Sequence, residues 1–466
     1  MVTSLKKDWA VKENETIKAN EAVNMTSDKR VRSHMEIWWH DYVVSGEDVK
    51  AVDATIGEKA SIIGRVGLSM LHCGTPAWRV RQAMSRIARS LKVGCTADIG
   101  ITTINFTCTS GQESYTQALS VEGIAINMNR LYMLEKFIKE FDSKWELMSV
   151  GEIHDRLDEL KTKIRTHPTH ATVFAAAIAC ASFAFLLGAG LEEIICVFIS
   201  AAVGQLIRKL ISEGGFSMFI STAGSAAAAC ACYAVTMLID RMIFQTPAQA
   251  GAGYICATLF LVPGFPFITS VLDFAKLDMR SGIERLMYSS IVMIVATVFA
   301  WVGALIFGFE PEGLAGLAMP AAMLWILRLI ASFLAIFGFS IMFNSSYKMA
   351  LTAGLVGMIP NVLRILMTEV LGLPSPISAF AGAVLAGLAA TLAVKVTHYP
   401  RISITIPAVI AAVPGFILYE AIYNIGNGNS LAGANAVIKA GAIIFALGLG
   451  IVTARFISDP QYRHRD

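Results

Sequence analysis

Charged side chains are scarce in this 466-residue chain. They make up 16% of it, against 55% hydrophobic residues, where a soluble domain carries about 25% charge. The mean hydropathy of +0.59 excludes an ordinary soluble enzyme. A net charge of +3 is too small to mark a nucleic-acid surface. The eight cysteines include no CxxC pair and no Cys/His metal spacing, so they read as reduced thiols acting as small hydrophobes. The first residues are rich in Lys and Glu and lack the apolar stretch of a signal peptide, which predicts a cytoplasmic N-terminus. No cofactor set or nucleophile–base pair stands out.

What is present is unevenly spread. Charge concentrates before about Thr166 and long apolar runs fill the rest. The expected architecture is an all-α membrane bundle behind an N-terminal cytoplasmic α+β domain. The boundaries are a polar tail over 1–53, the soluble domain over 54–166, and two five-helix membrane repeats over 167–309 and 310–466. In the soluble part, Ile62, Val66, Met70 and Leu71 mark one helix, stopped at Gly74. Thr75 and Pro76 read as the cap and first turn of the next, which buries Val80, Met84, Ile87 and Leu91. Its other face carries Arg79, Arg86 and Arg89, a solvated face or an anion or headgroup site. Cys95–Cys108 and Ser114–Ser120 read as strands. Ser149 and Glu152 form a capping box. His72, His154, His167 and His170 are scattered and read as solvated or helix-end side chains.

A bilayer core is about 30 Å thick and needs about 20 apolar residues per helix. Ten runs qualify: Ala171–Leu187, Leu191–Ile207, Phe216–Ile239, Gln249–Leu272, Gly282–Phe307, Leu324–Phe343, Met349–Leu371, Ile377–Val396, Ile402–Asn424 and Gly433–Phe456. With the N-terminus inside, Arg208, Lys209, Lys276, Arg280, Arg285, Lys348, Lys395 and Arg401 fall on inner loops. Glu192, Glu193, Asp240, Glu310, Glu312 and Glu369 fall outside, with Arg241 the lone base there. This is a positive-inside pattern with both termini cytoplasmic.

The informative feature is a repeat. Val262-Pro263-Gly264-Phe265 in the fourth run returns as Val413-Pro414-Gly415-Phe416 in the ninth, about 150 residues later. Five spans per half would insert the halves in opposite senses, the arrangement of alternating-access carriers. Proline removes an N–H and clashes with the preceding turn, so both helices should break near the midplane. Freed helix ends there attract the charged ends of a small zwitterion. Candidate substrate contacts are Pro263, Gly264, Pro414, Gly415, Asn361 and Asn424. Glu420 and Asp273 are the candidate proton carriers, and Arg364 and Arg285 are further intramembrane polar groups. Arg328 and Lys439 read as paired or snorkelling charges. Ala379, Ala383, Ala386 and Ala390 form a stripe for close helix packing.

Gly67 to Gly74, with Arg79, Val80, Ile87 and Ala88 after it, resembles the N-terminal domain of the threonine/serine exporter family. So do Val262 to Pro266 with downstream Asp273, the Gly282/Arg285 pair, and Val413 to Gly415. The resemblance runs from about Ala54 to Phe456. It implies a ten-span inner-membrane carrier that exports threonine and serine on the proton motive force, with protons, lipids and a small amino acid as partners and a homo-oligomer as one possible state. Members also occur as two chains matching the two halves, some linked to dicarboxylate export. The alternatives are therefore export of a dicarboxylate or other small metabolite, or a hydrolytic soluble domain. One position departs from the family: Arg81 stands where an acidic residue is common.

Overall fold

The computed structural model describes residues 37–45, 49–145, 147–163, 166–244, 253–309 and 319–463. Glu310 and Glu312 lie outside them.

The N-terminal part is a three-stranded antiparallel sheet under four helices. The helices are α1 (Ile56–His72), α2 (Ala77–Ser90), α3 (Met128–Glu140) and α4 (Val150–Lys163). Strands β1 (Gly94–Ile99), β2 (Thr103–Ser110) and β3 (Glu113–Ser120) pair in sequence order. Cys95 stands opposite Cys108, and Cys108 opposite Tyr115. Alternation sets the core face: Ile104, Phe106 and Cys108 on β2 are buried, with Leu119 from β3. Ile62, Val66 and Met70 of α1 and Val80, Met84 and Ile87 of α2 close this core. All eight cysteines are free thiols.

Two capping boxes set helix starts. The expected one, Ser149 with Glu152, opens α4. Thr55 with Glu58 opens α1 and does a second job. Glu58 also accepts from the Val44 and Ser45 N–H groups at 2.9 and 2.7 Å. Burial raises the Glu58 carboxyl, but the bonds from Ser45 and Thr55 outweigh it and hold it down at about 2. Val44 and Ser45, inside the stretch read as a polar tail, are thus tied to the domain. His154 is a further correction. It is buried, not solvated, and shares a 2.9 Å bond with the Ser61 hydroxyl. Burial, with nearby Arg65 and His40, pushes its imidazole down to about 3, so it stays neutral. Arg79 and Arg86 are engaged within the domain, by Glu135 and Asp142.

The rest is helical. Among the described residues, eight helices are long and apolar enough to cross a membrane: α5 (Thr169–Leu186), α6 (Leu191–Glu213), α7 (Met218–Phe244), α10 (Met279–Phe307), α11 (Ala321–Met342), α12 (Tyr347–Glu369), α13 (Ser375–Thr397) and α16 (Ser430–Ser458). Two more spans are bent pairs. The first joins α8 (Gly253–Cys256) and a 3-10 turn to α9 (Gly264–Phe274), with a 58° bend. The second joins α14 (Arg401–Ile410) to α15 (Gly415–Gly426), with a 49° bend. The outward faces are apolar, as on α6, where Leu191, Ile195, Ile199, Val203, Leu206 and Leu210 are exposed at helical spacing. The alanine stripe of α13 is buried. Its Ala383 stands against Gly450 of α16, and Ala454 of α16 stands against Gly387. The first helix of one half packs on the first of the other, with Gly338 of α11 seated on Ala175 and Ala179 of α5.

Candidate functional site

The two Pro-Gly breaks have the same backbone. Pro263 lies at φ −80°, ψ 57° and Pro414 at φ −82°, ψ 54°. Each is the centre of an inverse γ-turn. Gly264 N–H donates to Val262 O at 2.8 Å, and Gly415 N–H to Val413 O at 2.9 Å. Neither glycine has positive φ, so these glycines serve close approach rather than an unusual backbone angle. A Cβ on Gly264 would stand 2.9 Å from Ile410 and 3.3 Å from Val413. One on Gly415 would stand 2.8 Å from Val262 and 2.9 Å from Leu259. Each break is therefore seated on the turn that precedes the other.

From that shared point the two post-break helices diverge. Phe274, at the end of α9, packs on Gly282 near the start of α10. Gly426, at the end of α15, packs on Trp301, roughly 19 residues and 28 Å further along the same helix. The breaks thus sit between the two ends of a membrane-length helix.

Two buried tyrosines lie beside the junction. Tyr254 precedes the first break and Tyr419 follows the second, and their hydroxyls hydrogen-bond to each other. Arg208 of α6 donates to Phe260 O at 3.3 Å, satisfying a carbonyl just ahead of the first break. The apolar-run boundaries had put Arg208 on a loop, and aromatic residues in a membrane run read as packing. The signal that could have found Tyr254 and Tyr419 is their position flanking the repeated motif.

The remaining candidates separate into three groups. Asp273 and Arg285 form a buried pair at 3.1 Å. Asp273 also accepts from Ser281 Oγ and from Ala77 N–H, each at 2.9 Å. Arg285 donates to the carbonyls of Gly74 and Thr75 at 3.1 and 2.7 Å. These two residues clasp the membrane bundle to the soluble domain. They also correct the expected helix start. Pro76, not Thr75, holds the N-cap position of α2 without any side-chain cap, because the carboxylate comes from Asp273. Gly74, at φ +83°, makes the turn and touches Phe265, the residue after the first break. Arg81, the departure from the family pattern, pairs with Asp278 at 2.6 Å.

Asn361 and Arg364 form a second group on α12. Asn361 donates to Ser332 Oγ at 2.9 Å and accepts from Arg364 Nε at 3.1 Å. One turn earlier on that helix, Gly357 touches Ala408 of α14. Glu420 and Asn424 form the third. Asn424 bonds to the Glu420 backbone carbonyl at 2.8 Å, and the half-buried Glu420 side chain has no ion pair among the described residues. Arg328 is paired with Glu369 at 2.6 Å, and Lys439 is exposed.

Comparison with known proteins agrees with this architecture. A family model described as "Putative threonine/serine exporter" matches residues 61–308, and one described as "Threonine/Serine exporter, ThrE" matches residues 328–457. The chain is 22% identical over 235 residues to "Probable succinate transporter subunit YjjP" of Klebsiella aerogenes, covering 50% of this chain and 87% of that one. It is 22% identical over 248 residues to the protein of the same name in Escherichia coli K12, covering 52% and 93%. No solved structure matches. With most of its length matched and eight to ten candidate spans, this multi-pass membrane protein belongs to the threonine/serine exporter family.

Proposed function

We propose that the protein is a secondary exporter of small hydroxy amino acids, threonine and serine, working by alternating access around the paired breaks. The observation that carries this reading is the reciprocal seating of Gly264 on Ile410 and Val413, and of Gly415 on Val262 and Leu259. Contacts exchanged in this way, with post-break helices diverging to opposite ends of α10, support two five-helix repeats of opposite orientation over 167–309 and 310–466. In such a carrier, rocking of one repeat against the other exposes a midplane site to alternate sides. Pro263, Gly264, Pro414 and Gly415 with Asn361 and Asn424 would cradle substrate. First-turn N–H groups of the post-break helices suit a carboxylate.

Glu420 is the stronger proton carrier of the two carboxylates. Asp273 already serves Arg285, Ser281 and Ala77, and its release would undo the clasp. On this reading the membrane is the inner membrane, both termini are cytoplasmic and the soluble domain covers the cytoplasmic mouth.

A second reading is export of a dicarboxylate. It rests on the relatives, which are named for succinate transport and as subunits. That word also supports assembly into an oligomer. Counterflow of labelled threonine, serine and succinate in proteoliposomes, with and without an imposed pH gradient, tests both. Threonine and serine exchange stimulated by the gradient is the expected result. Succinate exchange alone would replace the first reading with the second. No exchange of any of the three would remove both.

A further inference from the structure

The soluble domain contains a cavity of about 590 Å³, far from the Pro-Gly breaks in sequence and unused by the transport reading. Ligand sites run from about 300 to 1,000 Å³. Residues 37–40, held down through Glu58, close one side of it. The two ends of the wall differ in charge balance. At one end Asp158 is already engaged by Arg65 and by His40, the latter at 3.0 Å. At the other, Arg130 and Lys161 stand near His72, and the exposed Glu122 also lines the wall. Arg130 donates to the Lys161 backbone carbonyl at 3.1 Å. Neither Arg130 nor Lys161 forms an ion pair among the described residues, and the buried Arg130 Nε has no hydrogen-bond partner. A buried donor without an acceptor calls for an explanation. His72 does not supply charge of its own: burial, then Arg130, hold its imidazole below the ordinary value, and its Nδ1 is spent on Gly123 O at 3.1 Å.

We propose that this cavity binds a small carboxylate-bearing metabolite, its carboxylate on Arg130 and Lys161 and its body against the apolar wall of Leu134 and Leu157. A guanidinium fork matches a carboxylate in two parallel bonds, and a second cation nearby strengthens them. The site lies next to the clasp in the chain, since His72 is separated from Gly74 by Cys73 alone. Two sources share the required chemistry, a zwitterionic amino acid and a dicarboxylate.

The test uses the purified full-length protein in detergent, with binding read by calorimetry and by tryptophan fluorescence, because Trp38 and Trp39 line the cavity. The probes are threonine, serine, succinate, threoninol and inorganic phosphate. Saturable binding of threonine and serine, or of succinate, is expected, and which of them binds identifies the source. Threoninol, which lacks the carboxylate, should not bind. The Lys161 side chain is exposed, so Lys161→Gln leaves the fold intact. It should weaken binding at least tenfold while the thermal unfolding midpoint in detergent stays at the wild-type value. Unchanged affinity in Lys161→Gln, equal binding of threoninol, or binding of phosphate alone would each overturn the proposal. The transport reading enters only in the choice of probes. A protein that binds carboxylate but shows no counterflow would sink that reading and leave this site standing.

Discussion

The two breaks are the same in backbone and unlike in surroundings. Pro263 and Pro414 differ by only a few degrees in φ and ψ, and each glycine lies on the other's approach turn. Downstream they part. The helix after the first break carries Asp273 in its last turn, locked by Arg285, Ser281 and the α2 N-terminus of the N-terminal domain. The helix after the second ends in Asn424 and Gly426, with Glu420 unpaired and no hydrogen bond to the soluble part among the described residues. Among the described residues, one local device is thus tied to the N-terminal domain and the other is not. An internal repeat copies backbone geometry, because that is set by Pro-Gly. It does not copy function, because function is set by what each copy touches.

The largest expected effect comes from cutting the anchor. Arg285→Met leaves Asp273 buried and unpaired, which costs about 3–5 kcal/mol when a buried pair is broken on one side. Thermal unfolding in detergent should show it, and Asp273→Leu added to Arg285→Met should recover part of the loss. Equal stability of the single variant and wild type would mean that the clasp anchors nothing. On the free side, Glu420→Gln should lower gradient-driven export at least tenfold while leaving unfolding within about 0.5 kcal/mol of wild type, the usual range for a substitution away from packed or paired features. Normal proton-coupled flux would remove Glu420 from the mechanism.

Where the halves meet, Tyr254→Phe strands the Tyr419 hydroxyl and should cost about 1–3 kcal/mol. The double change with Tyr419→Phe should cost less than the single one; additive losses would show that the two hydroxyls are not partners. A pH test probes the anchored side. His154 is held neutral in the fold, down at about 3 against an ordinary 6.5. Its contribution is therefore complete above pH 6.5 and is lost as pH falls from there toward 3, by at most about 1.4 kcal/mol per pH unit. Amide protection, corrected for the intrinsic exchange rate at each pH, should fall in the N-terminal domain over that window, and His154→Gln should flatten the response. The smallest effect belongs to Glu369→Gln. The Arg328 pair is half exposed on the Glu369 side, and such pairs contribute under about 1 kcal/mol. A larger loss would place Arg328 among the functional charges.

Hydropathy and punctuation made much of this protein legible in one dimension. Span positions follow from the length of apolar chain a bilayer requires. The breaks follow from a missing N–H at Pro263 and Pro414. The α4 cap follows from Ser149 and Glu152 three residues apart. Each is a property of neighbours in the chain, so the amino-acid order alone decides it. Tertiary structure decided the partners. Asp273 caps a helix nearly 200 residues before it, Tyr254 meets Tyr419, and His154 is buried against Ser61 rather than solvated. No local pattern encodes these contacts, because a side chain's partner depends on which elements the fold brings together. The clasp made by Asp273, a carboxylate singled out from its place in an apolar run, emerged only once its neighbours in space were known.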